Sequence, residues 1–387
     1  MITITDTKAL AQFCDFVSSA DFVTIDTEFM RERTYWSKLC LVQLAGPDEA
    51  AIIDPLAEGI DLTPLITLLS DPSILKVFHA ARQDIEIFHH MTGVVPTPVF
   101  DTQIAAMVCG FGDSVGYETL VSKLVKVRID KSMRFTDWSR RPLSGKQLQY
   151  ALSDVTHLRV AYEILAHRLE CNGRTHWIEE EMAVLTSPTT YTVNPPDSWR
   201  RIKFRGARPR FLCVLQAIAA WREHMAQERD VPRNRILRDD VLLDIAAHAP
   251  GTPEELAKTR SLGRQGLGAA LTKGVLAAVA EGKAVPESDC PIIEKKEPLP
   301  KGNGPLIDLF RVLLKMKCDE NDVAQKLVCS AANLEFIAAD DEADIPALKG
   351  WRREVFGADA LKIKHGQLAL AADGTKVCLI SVPTGGA

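Results

Sequence analysis

Phe22-Val23-Thr24-Ile25-Asp26, continued by Thr27-Glu28-Phe29, is the stretch on which the fold turns. Its β-branched and aromatic residues predict a strand. Side chains alternate faces along a strand, so Asp26 and Glu28 point the same way. Two adjacent carboxylates repel unless a cation lies between them or one is protonated. A hard divalent ion such as Mg²⁺ or Mn²⁺ takes oxygen ligands of this kind. A solvated acidic strand end explains Asp-x-Glu equally well in isolation, so the surroundings decide.

Downstream, Leu39-Cys40-Leu41-Val42-Gln43-Leu44 and Ala51-Ile52-Ile53-Asp54 predict two more strands, joined by the turn Ala45-Gly46-Pro47-Asp48. Short loops of this kind make an antiparallel meander. Leu62 to Leu69 reads as helix, Ile74 to Phe78 as strand, Ala81 to Met91 as helix, and Val99-Phe100-Asp101 as a short strand or turn. Asp84 then falls in the first turn of a helix, where the dipole favours a carboxylate. The strand before it would bring it to the Asp26 end of the sheet. From Thr102 the pattern is mainly helical. Ser144 and Gln147 have the spacing of a capping box. Leu148, Leu152, Val155, Leu158, Tyr162 and Leu165 follow at a helical period, and Tyr150 and Asp154, four apart, share one face.

A length of 387 residues predicts two or three domains. The 46% hydrophobic and 25% charged content is that of an ordinary globular protein. No apolar run approaches the ~20 residues of a membrane span, and Met1 to Asp6 lacks the basic start of a signal peptide; the expected location is the cytoplasm. The nine cysteines are scattered, with no Cys-x-x-Cys pair. They predict reduced thiols, not a disulfide framework or a zinc cage.

The net charge of −5 argues against a nucleic-acid partner, but its distribution does not. Residues 199–284 carry 16 Lys+Arg against 9 Asp+Glu, while 285–387 carry 13 against 16. A localised basic region is what phosphate binding needs. A second basic run spans 122–147, just before the Tyr150 helix. Lys131, Arg134, Arg140 and Arg141 there, and Arg205, Arg208 and Arg210 in the later segment, are the candidate nucleic-acid contacts. Phe135 and Trp138 are candidates either to stack on a base or to join the core. Proline-marked linkers are expected at 187–198 and 285–304.

Asp-x-Glu on a strand, Asp at a strand–helix junction and Tyr-x-x-x-Asp on a helix, in that order, resemble the three motifs of the DEDD exonucleases. The tyrosine marks the DEDDy branch; the histidine branch places its residue where Gln149 stands. Ile25 to Phe29, Val77-Phe78-His79-Ala80-Ala81-Arg82-Gln83-Asp84, Phe100 to Gln103 and Asp137-Trp138-Ser139-Arg140-Arg141-Pro142-Leu143 resemble the ribonuclease D family in particular. Residues 204–284, with Val231-Pro232 and Pro250 to Leu256, resemble an HRDC domain, and 305–384 a second, diverged one.

The resemblance implies an α/β RNase H-like exonuclease domain (1–198), a mixed sheet flanked by helices. Two small all-α HRDC-type domains follow (204–284 and 305–384), separated by the linker 285–304. It implies a monomeric 3′→5′ exoribonuclease that hydrolyses with two divalent ions, Mg²⁺ or Mn²⁺, and releases nucleoside 5′-monophosphates. The implied substrates are tRNA precursors and other small structured RNAs with 3′ extensions. By motif, Asp26, Glu28 and Asp154 hold one ion, and Asp26 bridges to a second that Asp84 supports. Tyr150 positions the attacking water. Asp101 reads as structural, and His79 as hydrogen-bonded within the fold. Two other readings stay open: a DNA exonuclease with the same carboxylates, and an RNA-binding adaptor whose site is vestigial.

Overall fold

The computed structural model describes residues 2–204, 208–262, 267–292 and 303–383, with the side chain of Lys131 outside that description. A strand β1 (Ile2–Ile4) and a helix α1 (Thr7–Val17) come first. Neither is among the sequence expectations, although Leu10, Phe13, Cys14 and Val17 carry helical spacing and bury. Asp6 caps α1 by accepting from Ala9 N at 2.9 Å. The expected meander follows as β2 (Phe22–Met30), β3 (Lys38–Ala45) and β4 (Ala50–Ile53), antiparallel throughout. After α2 (Thr63–Ser70) come β5 (Leu75–Phe78), α3 (Arg82–Thr92) and β6 (Val99–Asp101). The strand order is β1-β4-β3-β2-β5-β6, with β5 parallel to β2 and β6, and β1 parallel to β4.

The alternation along β2 divides labour between the two faces of this mixed sheet. Val23 and Ile25 enter a core with Leu10, Phe13, Leu65, Phe78 and Phe88, under α1, α2 and α3. Thr24, Asp26 and Glu28 face the other way. There α4 (Thr102–Val108) and α5 (Tyr117–Leu124) lead to the long helix α6 (Gly145–Cys171). The capping box that starts α6 forms as the sequence predicts: Ser144 N donates to Gln147 Oε1 at 3.0 Å, and Gln147 N to Ser144 Oγ at 3.3 Å.

The 187–198 stretch is not a free linker. After α7 (Glu179–Thr186) it winds into 3₁₀ turns at Pro188–Thr190 and Pro195–Arg201, with Tyr191 and Trp199 buried. Prolines set the turns, and the two aromatic residues anchor them. The helices α8 (Pro209–Glu228), α10 (Asp239–His248), α11 (Pro253–Ala257) and α12 (Ala269–Ala284) then share a core that includes Leu212, Ile218, Leu242, Ile245 and Val275, while Ile236 of α9 (Arg233–Ile236) packs with Tyr35 and Ala226. Gly282 lets α12 approach α8: a Cβ there would sit 2.7 Å from the Val214 Cα. Cys213 forms a disulfide with Cys290, 77 residues away, while the other seven cysteines are free, in line with an expectation of mostly reduced thiols; spacing along the chain carries no signal for so distant a partner.

The C-terminal region comprises α13 (Asn303–Glu320), α14 (Gln325–Val328), α15 (Ala331–Ala339) and a helical run over 350–364. It closes on a hairpin of β7 (Leu368–Asp373) and β8 (Lys376–Ser381). The expectation of an all-α second module is amended accordingly. Gly374, at φ +60°, makes the two-residue turn. The region shares one core with the N-terminal α/β domain: Ile307, Phe310, Phe356 and Trp351 pack with Ala105, Leu158 and Trp177. Trp177 and Trp351 stack at 4.2 Å.

Candidate active site

Several local features bring the acids together. The β2–β3 register shifts between Glu28 and Phe29, and a bulge of this kind re-aims a side chain at the end of a strand. Helix α6 is tied beneath it, since Thr24 Oγ1 donates to Val155 O at 2.9 Å. Tyr117 OH donates to Asp154 O at 2.6 Å and so holds the neighbouring turn. Carboxylate oxygens of Asp26, Glu28 and Asp154 consequently lie within 4.8 Å of one another. Asp84 arrives from α3, where its Oδ1 accepts from Thr27 Oγ1 at 2.5 Å. Together with Tyr150, these four acids line one cavity of about 610 Å³.

The electrostatics follow from crowding. Asp84 and Asp154 are buried, and Asp26 and Glu28 half-buried. Burial, then the charge of Asp154, raises Asp26 well above the carboxylate range. Burial and the charges of Asp26, Asp154 and Asp84 push Glu28 up to about 10, against the pull of Arg134. Burial takes Asp154 to about 7, and burial with the Asp26 charge raises Asp84. Four carboxylates so close are not stable as four anions without a countercharge. The donor set fits a hard divalent cation. It is all oxygen, it converges, and Asp154 Oδ1 is buried without a hydrogen-bond partner among the described residues. Burial, then the charge of Asp154, raises Tyr150 above the ordinary tyrosine value.

Residues 1–170 match a 3′-5′ exonuclease family and residues 212–279 the HRDC domain. The chain is 51% identical to ribonuclease D of Jannaschia sp. over 384 residues, 98% of this chain and 99% of that protein. It is likewise 51% identical to ribonuclease D of Nitrobacter hamburgensis, over 97% of this chain and 98% of that one. This chain belongs to the ribonuclease D family. The crystal structure of Escherichia coli RNase D superposes with a TM-score of 0.79 at 31% identity, covering 94% of this chain and 98% of that one. Like its family, the chain is a 3′→5′ exoribonuclease, and the exonuclease domain is divalent-metal dependent. No helix among the described residues is long and apolar enough to cross a membrane.

Against the ribonuclease D motifs, two further expectations match the geometry. Asp101 accepts from Ala80 N, Ala81 N and Gln103 N at 2.7–2.9 Å. It thereby fixes the strained turn at Ala80 (φ +60°) from which α3 starts. His79 Nδ1 bonds with Thr102 Oγ1 at 3.0 Å, and burial lowers its pKa. Trp138 is buried in the core, whereas Phe135 is 91% exposed.

The basic candidates divide. Arg134 lines the carboxylate cavity. Arg141 does not reach out for RNA: its five N–H groups go to Asp54 (2.6 and 2.7 Å) and to the carbonyls of Cys40, Trp138 and Arg140. Arg210 spends Nη1 on the carbonyls of Gly282, Lys283 and Val285 at the end of α12. Arg141 has no N–H left for a phosphate, whereas Arg210 Nε and Nη2 form no hydrogen bond among the described residues; a cation beside unsatisfied helix carbonyls or a buried carboxylate is captured by them. Arg140 and Arg208 are exposed, Arg205 lies outside the described residues, and so does the side chain of Lys131.

Tyr117 and Gln43 are absent from the sequence expectations. Gln43 stands directly across from Asp26 on β3, fully buried, with neither amide atom hydrogen-bonded among the described residues. The signal was one amide inside the apolar run Leu39 to Leu44. For Tyr117, which touches Asp154 only through the backbone, no spacing rule applies.

Proposed function

We propose that this chain trims the 3′ ends of tRNA precursors and other small structured RNAs, one nucleotide at a time, as a cytoplasmic monomer using two Mg²⁺ or Mn²⁺ ions. Asp26, Glu28 and Asp154 would hold one ion, and Asp26 with Asp84 would hold a second; the chemistry so supplied would be a coordinated water of lowered pKa and a countercharge for the phosphodiester. The chain's own residues do the rest. Tyr150, its hydroxyl kept protonated, orients the attacking water. Thr27 fixes the rotamer of Asp84, Tyr117 fixes the turn of α6 that presents Asp154, and Arg134 meets the phosphate.

The observation that carries this reading is the convergence of the Asp26, Glu28 and Asp154 oxygens within 4.8 Å. An adaptor with a vestigial site gains nothing from keeping that much like charge together. RNA as the substrate, rather than DNA, is supported by the family relationship, and the E. coli relative is described as an exoribonuclease involved in structured RNA processing.

Matched RNA and single-stranded DNA with the same 3′ tail test it, in Mg²⁺, Mn²⁺ or EDTA. Shortening of the RNA from its 3′ end in either metal, with none in EDTA, is the expected result. Cleavage in EDTA would reject the mechanism, and equal degradation of DNA the substrate.

A further inference from the structure

Asp26 has beside it an amide that its apolar surroundings do not explain. Gln43 stands across from Asp26 on β2 and across from Ile52 on β4. Directly opposed residues of an antiparallel ladder share a face, so all three side chains lie on the α6 side of the sheet. Leu41, two residues back along the same face, packs there with Ile52, Trp138 and Ala151 of α6. In this apolar layer Gln43 is 0% exposed, and neither Oε1 nor Nε2 is hydrogen-bonded among the described residues. An amide so placed carries a desolvation cost that Met or Leu would avoid.

The Nε2 donor has few destinations. Thr24 Oγ1, next along the Asp26 face, is committed to Val155 O at 2.9 Å. Trp138 Nε1 is itself an unpartnered donor, and a donor cannot accept from Nε2. The carboxylate of Asp26 remains, and Cβ atoms directly opposed across a ladder are about 5 Å apart, within reach of a glutamine side chain. Two of the other acids are already steadied by neighbours. Thr27 Oγ1 donates to Asp84 at 2.5 Å, and Tyr117 OH holds the turn of Asp154. A carboxylate shared between two cations has to keep one plane for both, so Asp26 has the most to gain from such a neighbour.

Resting on the two-metal reading above, we propose that Gln43 is a positioning residue for Asp26: its Nε2 donates to the Asp26 carboxylate in the ion-loaded site and sets the plane of that carboxylate. Hydrogen-bond partners of this kind orient ligating side chains, and their loss weakens ion binding. A neutral amide can act here where Lys or Arg could not, because a fixed positive charge beside Asp26 would repel the cation.

The test titrates the full chain with Mn²⁺ in the absence of RNA and reads the free ion by its electron paramagnetic resonance signal. Gln43→Met keeps the length of the side chain and removes both polar atoms; it should weaken Mn²⁺ binding about tenfold or more. Gln43→Leu, of different shape, should do the same. Ile52→Val trims the same apolar layer one strand away and should leave the affinity unchanged. In EDTA the melting temperature of Gln43→Met should stay level or rise, because an unsatisfied amide has gone. With a 3′-tailed RNA, the Mg²⁺ concentration for half-maximal turnover should rise by a similar factor, while turnover at saturating Mg²⁺ falls by a smaller one. Wild-type Mn²⁺ affinity in folded Gln43→Met or Gln43→Leu overturns the proposal, with or without a lower melting temperature, and so does an equal loss in Ile52→Val. A wild type that binds no Mn²⁺ strikes the two-metal reading instead.

Discussion

The two modules that follow the exonuclease domain are attached to it in opposite ways. The HRDC helices, the basic part of the chain, meet it through a polar pin set in a small apolar cluster of Tyr35, Trp36, Ala226 and Ile236. Tyr35 OH donates to the fully buried Glu223, Arg233 closes on both, and Asp230 accepts from Tyr35 N and Trp36 N at 3.0 Å. The C-terminal region, slightly acidic, is joined through a shared apolar core, sealed by the Trp177–Trp351 stack and by Arg352 on Glu180 and Glu181. A polar pin keeps charged surface on either side of it, whereas an apolar seam fills the space between modules. The first module thus keeps its own core, while the second is continuous with that of the exonuclease domain.

The largest effect on this comparison should come from the seam. Trp351→Ala removes a buried indole and should cost about 3–5 kcal/mol, seen as a lower urea midpoint. Because the core is continuous, the exonuclease and C-terminal regions should unfold in one transition; two separate transitions would break the contrast. A smaller loss, about 1–3 kcal/mol, is expected for Glu223→Gln, which weakens charge-assisted hydrogen bonds at the pin. That effect has a pH signature. Burial pushes the Glu223 pKa up, but the hydrogen bonds from Arg233 and Tyr35 outweigh it and hold the carboxylate below the usual range. A depressed acid contributes stability above its ordinary pKa, about 4.3, and loses it as pH falls through the folded value. The wild type should therefore lose part of its stability in acid that Glu223→Gln never had. Parallel pH curves for the two proteins would show that the pin carries no charge coupling.

Much of this was legible in residues alone. Asp26 and Glu28 share a face because strands alternate, and Tyr150 and Asp154 share one because helices repeat; Ser144 and Gln147 announced the helix that carries them. What stayed hidden was set by tertiary partners. Arg141 and Arg210 read as free cations until Asp54 and nearby carbonyls claimed the donors of the first and the α12 carbonyls Nη1 of the second. Phe135 and Trp138 are equivalent in sequence, and only packing puts one in the core and the other in solvent. The Cys213–Cys290 bond joins positions 77 residues apart, and the terminal hairpin lay in a stretch whose short strands look like ordinary apolar residues.

The central claim is that hydrolysis depends on a cation held by Asp26, Glu28 and Asp154. Asp154→Asn tests it most directly, because the change keeps the shape and removes one charge. Turnover of a 3′-tailed RNA in Mg²⁺ should fall about a thousandfold or more, equivalent to about 4 kcal/mol of lost transition-state stabilisation. The melting temperature in EDTA should stay level or rise as repulsion among the acids is relieved. Near-normal turnover by a folded Asp154→Asn protein would contradict the account.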